Sequence, residues 1–157
     1  MGRGCGRKSP SNRFRTTGPM VQVKVSIRSA INEISPLIDR LMRLIKEGNC
    51  VVGEEINVEI ALREAVTNAV LHGNKADPEK RVAICCEVGL GSGVSVIVRD
   101  EGQGFDPANV SDPTTTENIE SNHGRGIYLM RALMDEVHFE QGGTEVHMRK
   151  GFKYEST

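Results

Sequence analysis

Val94, Val96 and Val98 recur at every second position, and the run closes on Asp100-Glu101-Gly102-Gln103-Gly104-Phe105-Asp106. Alternation of this kind is the mark of a half-buried strand. An acidic residue at its end, followed by two nearby glycines, lets the backbone turn tightly and approach a ligand without a Cβ in the way. A chain with this stretch must build a sheet and must bring other elements against the turn.

The rest of the chain supplies them. Residues 81–88, with Val82, Ile84 and the pair Cys85-Cys86, read as a second strand, joined to the first by Gly89-Leu90-Gly91-Ser92-Gly93. The antiparallel pair delivers Asp100 to the end of the sheet. Val21, Val23, Val25 and Ile27 alternate with polar residues and predict a further half-buried strand, and residues 137–141 and 144–150 predict a last hairpin around Gly142-Gly143. A helix is expected to begin between Asn32 and Pro36, where Ser35-Pro36 has the chemistry of a cap and first turn. Its stripe is Ile34, Leu37, Ile38, Leu41, Met42 and Ile45, and Gly48-Asn49 ends it. A second helix is predicted over 54–72, with Ile56, Ile60, Leu62, Ala65, Val66, Ala69 and Val70 buried. Glu64, Asn68 and His72 recur every four residues along one side. Burying Glu64 or Asn68 without partners is costly, so the edge of a pocket suits them. Residues 107–123 are polar and without apolar period, the signature of a lid or binding loop. Gly124-Arg125-Gly126 then opens an apolar helical stretch through Ile127, Leu129, Met130, Leu133 and Met134, and backbone amides at such a start suit phosphate.

Composition narrows the function. A length of 157 residues with 38% hydrophobic content suits one globular domain, and with no Trp and 4% aromatics there are few rings for stacking bases. The first twenty residues carry Arg3, Arg7, Lys8, Arg13 and Arg15 and no acid, while the remainder is net −6. A mildly acidic body argues against direct nucleic-acid binding. The expected organisation is a disordered basic leader over 1–20, a domain over 21–150 and a short tail over 151–157. No stretch is apolar enough for a membrane span or signal core, so a cytoplasmic protein is expected. Cys5, Cys50, Cys85 and Cys86 lack a disulfide or metal-clip spacing and read as ordinary reduced thiols, with Cys85 and Cys86 on opposite faces of their strand. The separated His138 and His147 give no metal motif.

No dinucleotide fingerprint and no Walker-type phosphate loop is present. Glu64-x-x-x-Asn68, Asp100-x-Gly102-x-Gly104, Gly124-Arg125-Gly126 and Gly143-Thr144 together resemble the GHKL, or Bergerat-fold, ATPases. The stretches Glu64-Ala65-Val66-Thr67-Asn68-Ala69-Val70-Leu71-His72-Gly73 and Asp100 to Asp106 look like the first two boxes of the small bacterial anti-sigma factors that are also serine-protein kinases. The resemblance implies an α/β two-layer sandwich, with three main helices on one face of a mixed, largely antiparallel sheet. It implies ATP and Mg²⁺ as cofactors, Asn68 as the Mg²⁺ ligand, and Asp100 as acceptor for the adenine amine. Thr144 would add a base contact, Gly102 and Gly104 room under the adenine, and Gly124, Arg125 and Gly126 the phosphate loop. Glu64 would be the general base. A sigma factor and a serine-containing antagonist are the implied partners, and a homodimer the implied assembly. Two alternatives stand beside this reading: a non-catalytic, nucleotide-sensitive binding switch, and a stand-alone histidine-kinase-like ATPase module.

Overall fold

The computed structural model describes residues 14–15, 18–106, 122–151 and 153–154. Five strands form one sheet: β2 (Met20–Arg28), β3 (Arg81–Gly89), β4 (Gly93–Arg99), β5 (Glu136–Glu140) and β6 (Glu145–Lys150). Their spatial order is β2-β3-β4-β6-β5, and each pairing is antiparallel, where the resemblance implied a mixed, largely antiparallel sheet. β1 (Phe14–Arg15) pairs separately with β7 (Lys153–Tyr154). The expected lid lies outside the described residues over 107–121, and so does most of the leader.

Three helices, α1 (Ile34–Glu47), α2 (Glu55–Asn68) and α3 (Asn122–Leu133), cover one face of this sheet. The strand period of two sends Val82, Ile84, Cys86 and Val88 of β3, Val94, Val96 and Val98 of β4, and Val146 and Met148 of β6 into the shared core. The six predicted residues of α1 are its buried face, from Ile34 to Ile45. Ser35 does not cap it; its hydroxyl accepts a hydrogen bond from Arg63 Nη1 of α2 instead (3.1 Å). At the other end Asn49, with φ 47°, takes the left-handed position, whereas Gly48 keeps helical angles. Gly48 is needed for space, since a Cβ there would lie 2.8 Å from Val88 Cγ1.

Two predictions on α2 fail. Ile56 and Ile60 are 73% and 38% exposed. The buried stripe is Val58, Ala61, Leu62, Ala65 and Val66. A helix turns about 100° per residue, so Ile56 lies about 200° from Val58 and faces away from the core. Among the cysteines, Cys50 and Cys86 are free, and burial, followed by the charges of Cys50 and Glu87, pushes the Cys86 thiol up to about 12. Cys85 is disulfide-bonded, so the expectation of reduced thiols holds for Cys50 and Cys86 and not for it.

Candidate functional site

The end of α2 departs from a regular helix. Residues Ala69–Gly73 form a wider, π-type turn, closed by Asn74 N–H donating to Ala69 O (2.9 Å) and Ala76 N–H to Val70 O (2.7 Å). Such turns are rare and recur at functional sites. His72 within this turn is exposed and, like Asn68, lines the cavity described below. The turn is held by Asn74, whose side chain is fully buried. Its Nδ2 donates to Ser29 Oγ (2.6 Å) and Arg81 O (2.9 Å), and its Oδ1 accepts from Glu101 N–H (2.7 Å). One side chain thus ties the end of α2 to the start of β3 and to the turn that follows β4. In sequence Asn74 has only the signal of an Asn directly after a helix-ending Gly, which marks a helix end and not a clamp.

This clamp sets Gly73 against Asp100. A Cβ on Gly73 would overlap the Asp100 carboxylate, and one on Gly102 would overlap the Gly73 carbonyl. Asp100 Oδ1 accepts from Gly102 N–H (2.8 Å), and Asp100 N–H donates to Thr144 O (2.9 Å). Burial pushes the Asp100 carboxyl above its usual value, opposed by the Gly102 N–H and by the charge of Lys80. Gly104 packs on the Gly142 carbonyl in the same manner, with φ 78°, and Phe105 N–H donates to Gly142 O (2.9 Å). The glycines expected to leave room for a base therefore also let two turns of the protein touch. Phe105 anchors the second turn through an edge-on contact with Phe139 (5.2 Å between centroids).

Between these parts lies a cavity of about 410 Å³. Asn68, Asp100, Gly102, Gly104 and Thr144 of the expected site line it. Lys75, Lys80 and His72 add basic groups, and Val98, Met130 and Val146 add an apolar floor. Lys75 and Ala76 both have φ 54°, a left-handed conformation uncommon outside glycine. The backbone beside the cavity is therefore an unusual one.

Glu64, Gly124, Arg125 and Gly126 are outside the lining. Two of them nevertheless meet at its margin. A Cβ on Gly126 would lie 2.8 Å from Glu64 Oε2, 2.9 Å from Asn68 Nδ2 and 3.2 Å from Asn68 Oδ1, so α3 crosses α2 where these side chains project. Asn68 Nδ2 is buried with no hydrogen-bond partner. α3 begins at Asn122, and the first turn of a helix is where backbone N–H groups can face outside partners. Gly126 lies beyond that turn, so the amide donor expected there is shifted toward the helix start. Gly124 is buried and Arg125 exposed.

Residues 27–150 match the family described as histidine kinase-like ATPase domain. The anti-sigma F factor of Geobacillus thermodenitrificans is 31% identical over 135 residues, covering 81% of this chain and 80% of that protein. The anti-sigma F factor of Priestia megaterium is 27% identical over 133 residues, with the same two shares. The serine-protein kinase RsbW of Bacillus subtilis is 39% identical over 101 residues, covering 60% of this chain and 62% of that protein. Among solved structures, the crystal structure of the RsbU and RsbW domains of a Mycobacterium tuberculosis protein is similar, with a TM-score of 0.57 and 15% identity. It covers 85% of this chain and 32% of that longer one, a likeness of fold.

Proposed function

We propose that this chain, which belongs to the histidine kinase-like ATPase domain family, is a cytoplasmic ATP-binding anti-sigma factor that phosphorylates a serine of an antagonist protein. One observation carries the reading: Asn68, Asp100, Gly102, Gly104 and Thr144, distant in sequence, line a single cavity, with Glu64 one helical turn from Asn68. The names of the relatives, anti-sigma F factor and serine-protein kinase, support its biological half. A sigma factor and a serine-containing antagonist are the partners this reading requires, and a homodimer is the assembly it favours.

The donor set suits Mg²⁺-ATP. Asp100 offers a carboxylate oxygen to an exocyclic amine, and Thr144 offers a hydroxyl for a second base contact. Asn68 offers Oδ1 to Mg²⁺ and a buried, unpartnered Nδ2 to a phosphate oxygen. The start of α3 and the Arg125 guanidinium are suited to phosphate, and Lys75 and Lys80 give the cavity a positive field. Bound Mg²⁺-ATP would supply an electrophilic γ-phosphoryl group with its charge partly neutralised. With ATP bound, Glu64 would take the proton of the serine hydroxyl as its oxygen bonds to the γ-phosphorus and the β–γ bridging P–O bond breaks, ADP leaving, and Gly126 keeps the space that Glu64 and Asn68 occupy.

The test is recovery of partners on the tagged full chain from native cells, with and without Mg²⁺-ATP. The recovered proteins are then incubated with γ-labelled ATP, and phosphoamino acids are identified. Phosphoserine on a partner, lost in Glu64→Ala with nucleotide affinity retained, is the expected result. Saturating nucleotide binding with no phosphoserine on any partner would overturn the kinase assignment. It would favour a non-catalytic, nucleotide-sensitive switch, the second reading, which the position of Glu64 outside the cavity lining supports.

A further inference from the structure

The hairpin of β5 and β6 has two faces of opposite character. Phe139 and Val146 point to the nucleotide-sized cavity. The alternate residues Glu136, His138 and Glu140 of β5 and Glu145, His147 and Arg149 of β6 share the other face. In the register of this hairpin His138 stands directly opposite His147, and their rings stack at 4.7 Å between centroids. The two histidines that seemed isolated along the chain are cross-strand neighbours.

Carboxylates surround the pair. Glu140 reaches both rings, with Oε1 3.3 Å from His138 Nε2 and Oε2 3.3 Å from His147 Nε2. Glu136 Oε1 lies 3.5 Å from His138 Nδ1, and Glu145 Oε1 2.6 Å from His147 Nε2. Glu145 is engaged on its other oxygen by Arg99 of β4 (2.7 Å). His138 Nε2 faces the Glu140 carboxylate. That Nε2 is buried and makes no hydrogen bond. A buried imidazole nitrogen 3.3 Å from a carboxylate, with no hydrogen bond between them, is an arrangement that a cation held by both would satisfy.

We infer that His138, His147 and Glu140 form a transition-metal site of the Zn²⁺ class on the face of the hairpin turned away from the cavity. Their ligand atoms all lie within 4.8 Å of one another. Bonds of about 2.0–2.2 Å set the ligand atoms of tetrahedral zinc about 3.3–3.6 Å apart. Each imidazole Nε2 already lies at that distance from one Glu140 oxygen, Oε1 for His138 and Oε2 for His147; metal binding would turn the carboxylate and tilt the rings so that one oxygen serves both, and would release His147 Nε2 from Glu145. Two imidazoles and one carboxylate form a borderline donor set that takes Zn²⁺, Ni²⁺ or Cu²⁺, while Mg²⁺ prefers an all-oxygen octahedron. Glu136 Oε1, 3.5 Å from His138 Nδ1, is placed to serve as the outer carboxylate that orients a metal-binding histidine. A bound ion would link the edge strand β5 to β6 directly behind Phe139 and Val146, and so stiffen one wall of the cavity.

The test uses the full chain, stripped of metal with a chelator and free of nucleotide. Zn²⁺ is titrated by calorimetry with Mg²⁺ in excess, and Co²⁺ is followed by its visible absorption. One ion per chain is expected, with a rise in Tm on Zn²⁺ addition and at least about tenfold weaker binding in both His138→Gln and His147→Gln. The wild-type chain also gives a readout that needs no variant. Of its four histidines, the ring-proton signals of His138 and His147 should shift on Zn²⁺ addition and those of His72 and His123 should stay. Absence of Zn²⁺ binding to the wild type, affinity unchanged in both variants, or shifts confined to His72 and His123 would overturn the inference.

Discussion

Replacing Gly126 by alanine separates the stability of the α2–α3 crossing from its chemistry. Gly126 lies in α3 without a positive φ, so alanine gains about 1 kcal/mol of helix propensity. The new methyl would stand 2.8 Å from Glu64 Oε2 and 2.9 Å from Asn68 Nδ2, where ordinary contact begins at 3.4 Å. The two groups must retreat by about 0.6 and 0.5 Å. Both are ends of side chains, so the strain falls on rotamers and costs about 0.5–1.5 kcal/mol. The terms nearly cancel, and Tm is expected to stay within about 4 °C of wild type. Catalysis does not cancel. A misplacement of 1 Å can lower a rate by about 10²-fold, so half that distance should lower serine phosphoryl transfer by about tenfold. Thermal melting, fluorescent-nucleotide titration and single-turnover transfer from labelled ATP measure the three quantities. An intact fold with unchanged transfer would refute the placement of Glu64 and Asn68 at the reacting centre. A fall in Tm beyond about 10 °C would refute the packing argument.

Two further outcomes follow from buried polar groups. Asn74→Ala removes three hydrogen bonds and leaves Glu101 N–H and Arg81 O without that partner; we expect a loss of about 3 kcal/mol, or roughly 6–12 °C in Tm, by urea and thermal unfolding. A loss below about 1 kcal/mol would mean that water replaces Asn74 as the clamp. The second concerns Glu145. Its burial raises the carboxyl pKa, but hydrogen bonds from His147 and Arg99 outweigh burial and hold it below the ordinary 4.5. A depressed carboxyl stabilises the fold above its unfolded value, and that contribution disappears as pH falls through the folded one. Arg99→Gln should therefore be less stable than wild type at neutral pH, with the gap narrowing as pH falls below 4.5 in metal-free buffer. A gap of equal size on either side of that pH would show that Arg99 acts by packing alone.

What the sequence disclosed was local in period. The valines of β4, the α1 stripe from Ile34 to Ile45, and the hairpin around Gly142-Gly143 all follow from spacing between near neighbours. What escaped depended on partners distant along the chain. Ile56 and Ile60 are spaced for a helix, but only the positions of α1 and α3 decide which stripe of α2 is covered. The π-type turn of Ala69–Gly73 runs into Asn74, which is anchored to Arg81 and, 45 and 27 residues away in sequence, to Ser29 and Glu101, partners that no local window contains. Gly102 and Gly104 were legible as permissive turn residues, while their neighbours, the carbonyls of Gly73 and Gly142, were not. His138 and His147 illustrate the same limit, because cross-strand register is set by the turn. There Gln141, Gly142 and Gly143 take φ of 54°, 67° and 90°. At the site, Asp100 and Asn68 fall in the cavity, and Glu64 reaches it only through the crossing at Gly126.

The strand order carries a consequence for how the protein is made. A ribosome releases β5 before β6, yet in the sheet β6 lies between β4 and β5. A nascent chain that has reached residue 141 holds two strands whose facing edges are both open, and it still lacks Gly143, Thr144 and Val146 from the cavity. β5 can join the sheet only together with β6, as a hairpin docking on β4, and that pairing of residues 94–99 with 145–150 is a non-local step of the kind that slows folding. Nucleotide affinity should accordingly be absent throughout elongation and arise only once β6 has left the exit tunnel. Products of premature termination in this region would expose strand edges to aggregation and protease instead of competing for ATP.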